Sequence, residues 1–588
     1  MNNYGKSFRK IVMLWVLFSI YLLGNSSISA KELISVSQST TEYTNQNVRV
    51  YMEFSNKTKV TILKYVYGNH SRAYTEKNGK QITCKQNRGS VLIAKNGIYT
   101  ILYQLNDGKK YTKKINIRNI DKKVPVMSPT YQVMNQEAIV SINGVDAESG
   151  LAYAKYIKGT LTDKSSPKWD TKAKNVRGVK QFKVDTEGNY SILLVDKAGN
   201  RSVKKISVML ELRGTWISYL EFISAGVANM DKAQFQSYID KTFDKCKEMN
   251  QNTVIVQVRP SSDALYPSKY FPWSAYISGK QGKNPGYNPL AYMISAAHKR
   301  NLKFYAWLNP YRVSAASTSI SSLYSDNPAR KWRNSSDNSL KRNVLTYQNQ
   351  LYYNPAKSDV QKLIVNGVKE IVKNYQVDGV VFDDYFYPNL GTEYKKNFDI
   401  NEYKSYQASC KKKGVTAKSI VNWRRENVNT MLKMVKSAIK QIDSKVEFGV
   451  SPQGNIGNLQ ASNSCYCDIE TWMNSKDYID FICPQIYWST TNPAAPYEKV
   501  LNQWLDLRKK NDTKMYVAIA VYKAGMSKKE ANALSPADLR WYKSNNNLME
   551  QVTIGRDTGC VDGFMFYRYD NMISSKTEKE MKNLLSIL

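Results

Sequence analysis

Histidine is nearly missing from this chain: its 588 residues include only His70 and His298. A hydrolytic triad built on imidazole, or a metal site of several histidines, is close to excluded. His298 would have to supply it alone, from what reads as a helix end, Ala296-Ala297-His298-Lys299-Arg300. In a catalytic chain of this composition, proton transfers fall to carboxylates. Cysteine is sparse and odd in number, at positions 84, 246, 410, 465, 467, 483 and 560, which is not the even set of a disulfide framework. Cys465 and Cys467 stand close together, but no second pair and no nearby histidine support a zinc site, so neither a metal nor another cofactor is expected. Beyond the first 30 residues no apolar run is long enough to span a bilayer. Acidic residues are also short, 49 against 85 Lys and Arg, which sets the formal charge at +36. The cations are spread without an Arg-rich cluster or an aromatic nucleic-acid motif, which argues against a nucleic-acid partner.

The first 30 residues stand apart. Lys6, Arg9 and Lys10 lead into an apolar run over 11–23 and then a small, polar segment ending in Ser29-Ala30. This is the pattern of a secretory signal, residues 1–30, with an uncleaved signal anchor as the alternative. No cysteine follows the run, which argues against a lipid anchor. Taking the three signal cations from +36 leaves a mature chain near +33. A secreted or cell-wall-associated chain this basic is expected to face anionic wall polymers or phospholipid head groups, unless the charge is a general surface property. No integral membrane domain is expected after signal cleavage.

At this length two to four domains are expected. From 31 to 210, short strand-like runs are broken by Asn, Gly and Asp turns, and one pattern recurs. Gly97-Ile98-Tyr99-Thr100-Ile101-Leu102 leads to Asn106-Asp107-Gly108, and Gly188-Asn189-Tyr190-Ser191-Ile192-Leu193 leads to Asp196-Lys197-Ala198-Gly199-Asn200; a Lys-Lys-Ile strand start follows each. Alternating apolar residues, a turn that permits positive φ and a return strand describe a hairpin. Two copies about 90 residues apart predict two immunoglobulin-like β-sandwiches, 31–120 and 121–210. Such modules act as spacers or wall-contacting arms.

The pattern changes at Leu212. Eight apolar runs, at 214–222, 254–258, 303–308, 379–382, 446–450, 481–486, 515–521 and 563–567, alternate with amphipathic helices. Val360, Leu363, Ile364, Val368, Ile371, Val372 and Tyr375 mark one such helical face. Eight strand-helix units predict an α/β TIM barrel over 211–588. Its organising stretch is 377–388, V-D-G-V-V-F-D-D-Y-F-Y-P, a buried-strand run that ends in two adjacent carboxylates, Asp383 and Asp384.

Functional groups in this fold sit on the loops after the strands. The first strand tip carries Glu221; the second Gln257, Arg259, Asp263 and Tyr266; the third Trp307, Asn309, Tyr311 and Arg312. The fourth carries Asp383, Asp384, Tyr385 and Tyr387, and the fifth Ser451 and Gln453. The sixth gives Gln485, Tyr487 and Trp488, the seventh Tyr522 and Lys523, and the eighth Tyr567, Tyr569 and Asp570. Rings with amides, Arg and carboxylates at one rim describe a polysaccharide site, since pyranose faces stack on rings while hydroxyls take polar contacts. About half of these aromatics are expected only to pack the loops.

Several motifs in order extend this reading. Gln257-Val-Arg-Pro260 with Asp263-Ala-Leu-Tyr266-Pro267, His298-Lys-Arg300 before Ala306-Trp-Leu-Asn-Pro-Tyr-Arg312, Asp378-Gly379 with Phe382-Asp-Asp-Tyr-Phe-Tyr-Pro388, and Pro484-Gln-Ile-Tyr-Trp488 resemble the glycosyl hydrolase-like family 10 proteins over roughly 211–570. The resemblance implies a secreted or envelope-associated glycosidase, and some relatives cut peptidoglycan strands from which the stem peptides have been removed. The N-terminal arm lies outside it.

Glycosidic cleavage needs an acid on the leaving oxygen and a second group that stabilises or traps the cationic centre. Repulsion between Asp383 and Asp384 would leave one protonated as acid and the other ionised. The adjacent pair also resembles substrate-assisted N-acetylhexosaminidases, which implies that Asp383 orients a 2-acetamido group as internal nucleophile while Asp384 donates the proton. The rival is a conventional pair between a strand-four Asp and Glu221, Asp263 or Asp570. Two other functions stay open on the residues: a non-catalytic wall- or glycan-binding surface protein, and a hydrolase of capsular or host polysaccharide.

Overall fold

All eight apolar runs become parallel strands, and their sheet closes on itself. β1 (Leu212–Ile217), β2 (Thr253–Arg259), β3 (Lys303–Leu308), β4 (Gly379–Phe382), β5 (Glu447–Val450), β6 (Phe481–Ile482), β7 (Lys514–Ala520) and β8 (Gly563–Tyr567) neighbour one another in that order. β8 then returns to β1, with Leu212 opposite Gly563 and Thr215 opposite Phe566. A Cβ on Gly563 would lie 2.3 Å from the Leu212 carbonyl oxygen, so glycine is what lets the last strand approach the first. Beside this seam Arg556 grips Glu211 through two hydrogen bonds of 2.8 Å. The computed structural model describes residues 33–55, 59–134, 137–314, 318–383, 386–509, 513–536 and 538–588; the expected signal, Asp384 and Tyr385 lie outside them.

Alternation along each strand splits the barrel side chains into two cores. Trp216, Ile255, Trp307, Val381, Tyr516 and Met565 belong to the inner cluster. Outward residues such as Val254, Phe304, Val380 and Phe564 pack in the larger outer cluster. There the predicted helical face of Ser358–Asn374 buries Val360, Leu363, Ile364, Val368, Ile371 and Val372. The first strand is shorter than its apolar run predicts. It stops at Ile217 because Ser218 caps a helix over Tyr219–Ser224, with the Glu221 carboxylate accepting from the Ser218 amide at 2.8 Å.

At the opposite end of the barrel, Asp378 stands just before β4. Its Oδ2 accepts from the Phe304 amide and pairs with His298 Nε2, each at 2.8 Å. The hydrogen bond to Asp378 raises the His298 pKa against the opposing effect of burial. Stability from a raised imidazole is complete below its unfolded pKa, about 6.5, and is lost as pH climbs through the folded value. His298→Gln should therefore lower the urea midpoint more at about pH 5.5 than at about pH 9. Equal losses at the two pH values would contradict this linkage.

Residues up to Val208 form a separate compact unit from Met209–Leu588. That arm is built mainly of antiparallel sheets. Two four-stranded sheets share a core that includes Val48, Val50, Leu63, Ile101, Tyr103 and Ile117. A four-stranded and a three-stranded sheet follow in the second half. The recurring sequence pattern forms two hairpins, Gly97–Leu105 with Lys110–Ile117 and Gly188–Asp196 with Arg201–Val208. Among the described residues the arm also holds a group of three carboxylates, Asp121, Asp146 and Asp196, near enough to share a cation. Their oxygens already accept from backbone amides of Lys123, Ser149, Gly150 and Asn200.

Candidate active site

Asp383 follows β4 directly, at the C-terminal rim of the barrel. Its Oδ2 accepts from Trp307 Nε1 on the neighbouring β3 at 3.1 Å, and also from Asn309 Nδ2. Asn309 Oδ1 in turn accepts from Gln257 Nε2 at 2.5 Å, while Gln257 Oε1 accepts from the Tyr219 amide at 3.2 Å. A line of donors thus runs across the tips of β1 to β4 and ends on one carboxylate oxygen. Each amide has both its ends engaged, which fixes its orientation. Asp383, Gln257 and Asn309 are all at most 3% exposed, so the line is screened little by solvent. Of the residues predicted from sequence, Gln257, Trp307, Asn309 and Asp383 are brought together here; Asp384 and Tyr385 lie outside the described residues.

The tips of β1 and β8 hold a second carboxylate group. Glu221 is fully buried; Oε2 accepts from the Ser218 hydroxyl at 2.6 Å, and Oε1 pairs with Arg568 Nη1 at 2.7 Å. Asp570 accepts from the Ser224 hydroxyl at 2.9 Å and donates its own amide to Glu221. These groups tie β8 to the first helix. Nothing in the sequence marks Arg568, two residues before Asp570, because its partner Glu221 is fixed only when the barrel closes. Tyr569 is buried, which pushes its hydroxyl up to about 12.

Several other predicted residues sit in packed loops. Arg259 is fully buried with its guanidinium 4.6 Å over the Phe271 ring. Burial lowers its pKa and raises that of Asp263 to about 6, although Gln281 Nε2 donates to Asp263 at 2.9 Å. Tyr311 lies in the outer hydrophobic cluster, and Arg312 opens a short strand, Arg312–Ser314, of a three-stranded insertion after β3. Tyr387 is buried and donates to Asp399 at 2.9 Å; Asp399 is held by Arg424.

The tips of β5 to β7 line an open cavity of about 220 Å³ formed by Gln453, Gln485, Tyr487, Trp488 and Lys523, with Asn455 and Asn458. Tyr487 stacks on Tyr567 at 6.2 Å and meets Tyr522 edge-on at 5.9 Å. Tyr487 also packs against the inner cluster that contains Trp307, the donor to Asp383. The cavity depends on Gly454, where a Cβ would fall 2.4 Å from the Gln485 carbonyl oxygen and 2.8 Å from the Trp488 ring. Asn455 has a readable signal, since it caps the helix over Ile456–Gln460 by accepting from the Asn458 amide.

A closed parallel barrel with carboxylates, amides and aromatic rings on its C-terminal rim is the frame of a glycoside hydrolase. Residues 211–535 match the model of the Glycosyl hydrolase-like 10 family, and the chain belongs to that family. It is 36% identical over 403 residues to "Glycosyl hydrolase YngK" of Bacillus subtilis, covering 64% of this chain and 71% of that protein. It is 33% identical over 403 residues to "Glycosyl hydrolase DigH" of Escherichia coli K12, covering 64% and 87%. Among solved structures, the glycoside hydrolase domain of PgaB (BpsB) from Bordetella bronchiseptica aligns with a TM-score of 0.38 at 13% identity, over 64% of this chain and 99% of that one. Among the described residues no helix is long and apolar enough to cross a membrane.

Proposed function

We propose that this glycosidase is secreted and cleaves N-acetylated cell-wall glycan, namely peptidoglycan strands freed of their stem peptides. The observation that carries the reading is the Asp383 carboxylate, held at the barrel rim by Trp307 and Asn309. In this reading Asp383 orients the 2-acetamido group of the sugar, whose carbonyl oxygen attacks the anomeric carbon. Asp384 protonates the leaving oxygen, and water then opens the cyclic intermediate. The commitment of Glu221 to Arg568 and Ser218 supports substrate assistance over a protein nucleophile at that position. The rings and amides at the tips of β5 to β7 suit a sugar ring at the same rim as Asp383. The arm, read as two immunoglobulin-like sandwiches over 31–120 and 121–210, serves as a spacer, and the basic surface favours anionic wall polymers.

The test is mass spectrometry of the products from peptide-free and from intact peptidoglycan. Fragments with new N-acetylhexosamine reducing ends are expected from the peptide-free strands, in larger yield than from intact wall. Cleavage of capsular or host polysaccharide with no fragments from either wall substrate would overturn the reading.

A further inference from the structure

Lys523 lines the cavity at the tips of β5 to β7 and is only 8% exposed. Its ammonium donates to the Tyr487 carbonyl oxygen at 2.5 Å and stands 5.9 Å from the Tyr522 ring centroid. Among the described residues no carboxylate lies within ion-pair distance of it. The acid whose field reaches it, Asp538, is already bound by Ser489 and Asn492. Burial lowers the Lys523 pKa, the direction expected of an ammonium short of a counter-charge. A buried cation with one carbonyl partner carries a desolvation cost that an incoming anion would offset.

The rest of the cavity suits a sugar. At about 220 Å³ it lies below the roughly 300 to 1,000 Å³ of pockets that take drug-sized ligands, on the scale of a single sugar ring. Tyr487 and Trp488 offer ring faces, while Gln453, Gln485 and Asn458 offer amide groups for hydroxyls and an acetamide.

We propose that this cavity is a subsite for a sugar bearing a carboxylate, and that Lys523 is the residue that reads the charge. The inference rests on the proposed action on peptide-free strands and gives a reason for it. In intact peptidoglycan the lactyl carboxyl is tied up as the amide that begins the stem peptide. Hydrolysis of that amide leaves a free carboxylate on alternate sugars. A reaction that removes the peptide must therefore come first, and Lys523 recognises its product. A ring uronate would present the same chemistry from a different source.

The experiment compares wild-type kinetics on peptide-free strands with kinetics on the same strands after reduction of their lactyl carboxyls to alcohols. A charge-assisted contact predicts a rise in KM of roughly tenfold to a hundredfold on reduction, with a smaller change in kcat. Lys523→Met should raise KM on the native strands by a similar factor and add little on the reduced strands, and Lys523→Arg should recover part of the loss. A variant that suffers equally on both substrates would mean that Lys523 only supports the fold, which overturns the inference. So would equal wild-type KM values for native and reduced strands, and release of fragments from both would then leave the proposed function standing. If neither strand is cut but an oligouronate binds the wild type and not Lys523→Met, the carboxylate reading holds and the wall-glycan reading fails.

Discussion

Asp383→Asn should lower kcat on the chain's glycan substrate by roughly 10²- to 10⁴-fold, the range for a positioned group that manages charge or protons in a transition state. The exchange is isosteric, but its cost follows from the contacts. Asp383 Oδ2 accepts from both Trp307 Nε1 and Asn309 Nδ2, and an amide in its place either loses its charge toward the substrate or turns an NH2 into those two donors. Because Asn309 is locked in turn by Gln257, it cannot rotate to present its oxygen without breaking that bond. KM should change less than kcat, since the charge matters most as the anomeric centre becomes cationic. Initial rates, with a circular dichroism spectrum to certify folding, measure this. A folded variant that keeps more than a tenth of wild-type kcat would remove Asp383 from the mechanism.

Breaking the Arg424–Asp399 pair should produce the largest loss of stability, about 3 to 5 kcal/mol for Arg424→Met. Both side chains are completely buried. Arg424 gives Nε and Nη2 to one oxygen of Asp399 at 2.8 and 2.6 Å, and Nη1 to the Tyr394 carbonyl and the Tyr466 hydroxyl at 2.9 and 2.7 Å. The guanidinium also lies 5.1 Å from the Tyr466 ring centroid. Without it Asp399 keeps the Tyr387 hydroxyl and little else to balance a buried charge. The variant Arg424→Met with Asp399→Leu should recover a good part of the loss, because the stranded charge is gone. Urea unfolding of Arg424→Met, Asp399→Leu, the double variant and the wild type measures this; a double variant as unstable as the sum of the two single ones would show that packing, not charge, holds the site. Tyr387 is four residues beyond Asp383, so weaker activity in the folded fraction of the single variant is expected as well.

These two sites differ in how far they could be read from sequence, and the reason is physical. Strands such as Gly379–Phe382 are legible because a parallel strand buried on both faces is a continuous apolar run, and the polar residue after it must stand at the rim. Asp383 and Asn309 are legible in this way, whereas Gln257 interrupts the apolar run of β2 from within. Glu221 could have been read more closely, since Ser218-x-x-Glu221 spells a capping box that converts the apparent strand end into a helix start. The role of Tyr387 was not legible. Its hydroxyl is committed to Asp399, whose own partner Arg424 lies 25 residues further on another element, and nothing local in the sequence announces that pairing. Aromatic residues at strand tips are ambiguous for the same reason: Tyr487 lines the cavity while Tyr387 holds a loop, yet both follow an apolar run.

The seam between β8 and β1 has a consequence for how the chain is made. Glu211 and its partner Arg556 are 345 residues apart, and Gly563 must follow before β1 gains its second neighbour. During synthesis from the amino end, the first barrel strand therefore waits with one edge unpaired until almost all of the unit exists. A ribosome that stalls before residue 563 leaves β1 without its β8 partner and the sheet open.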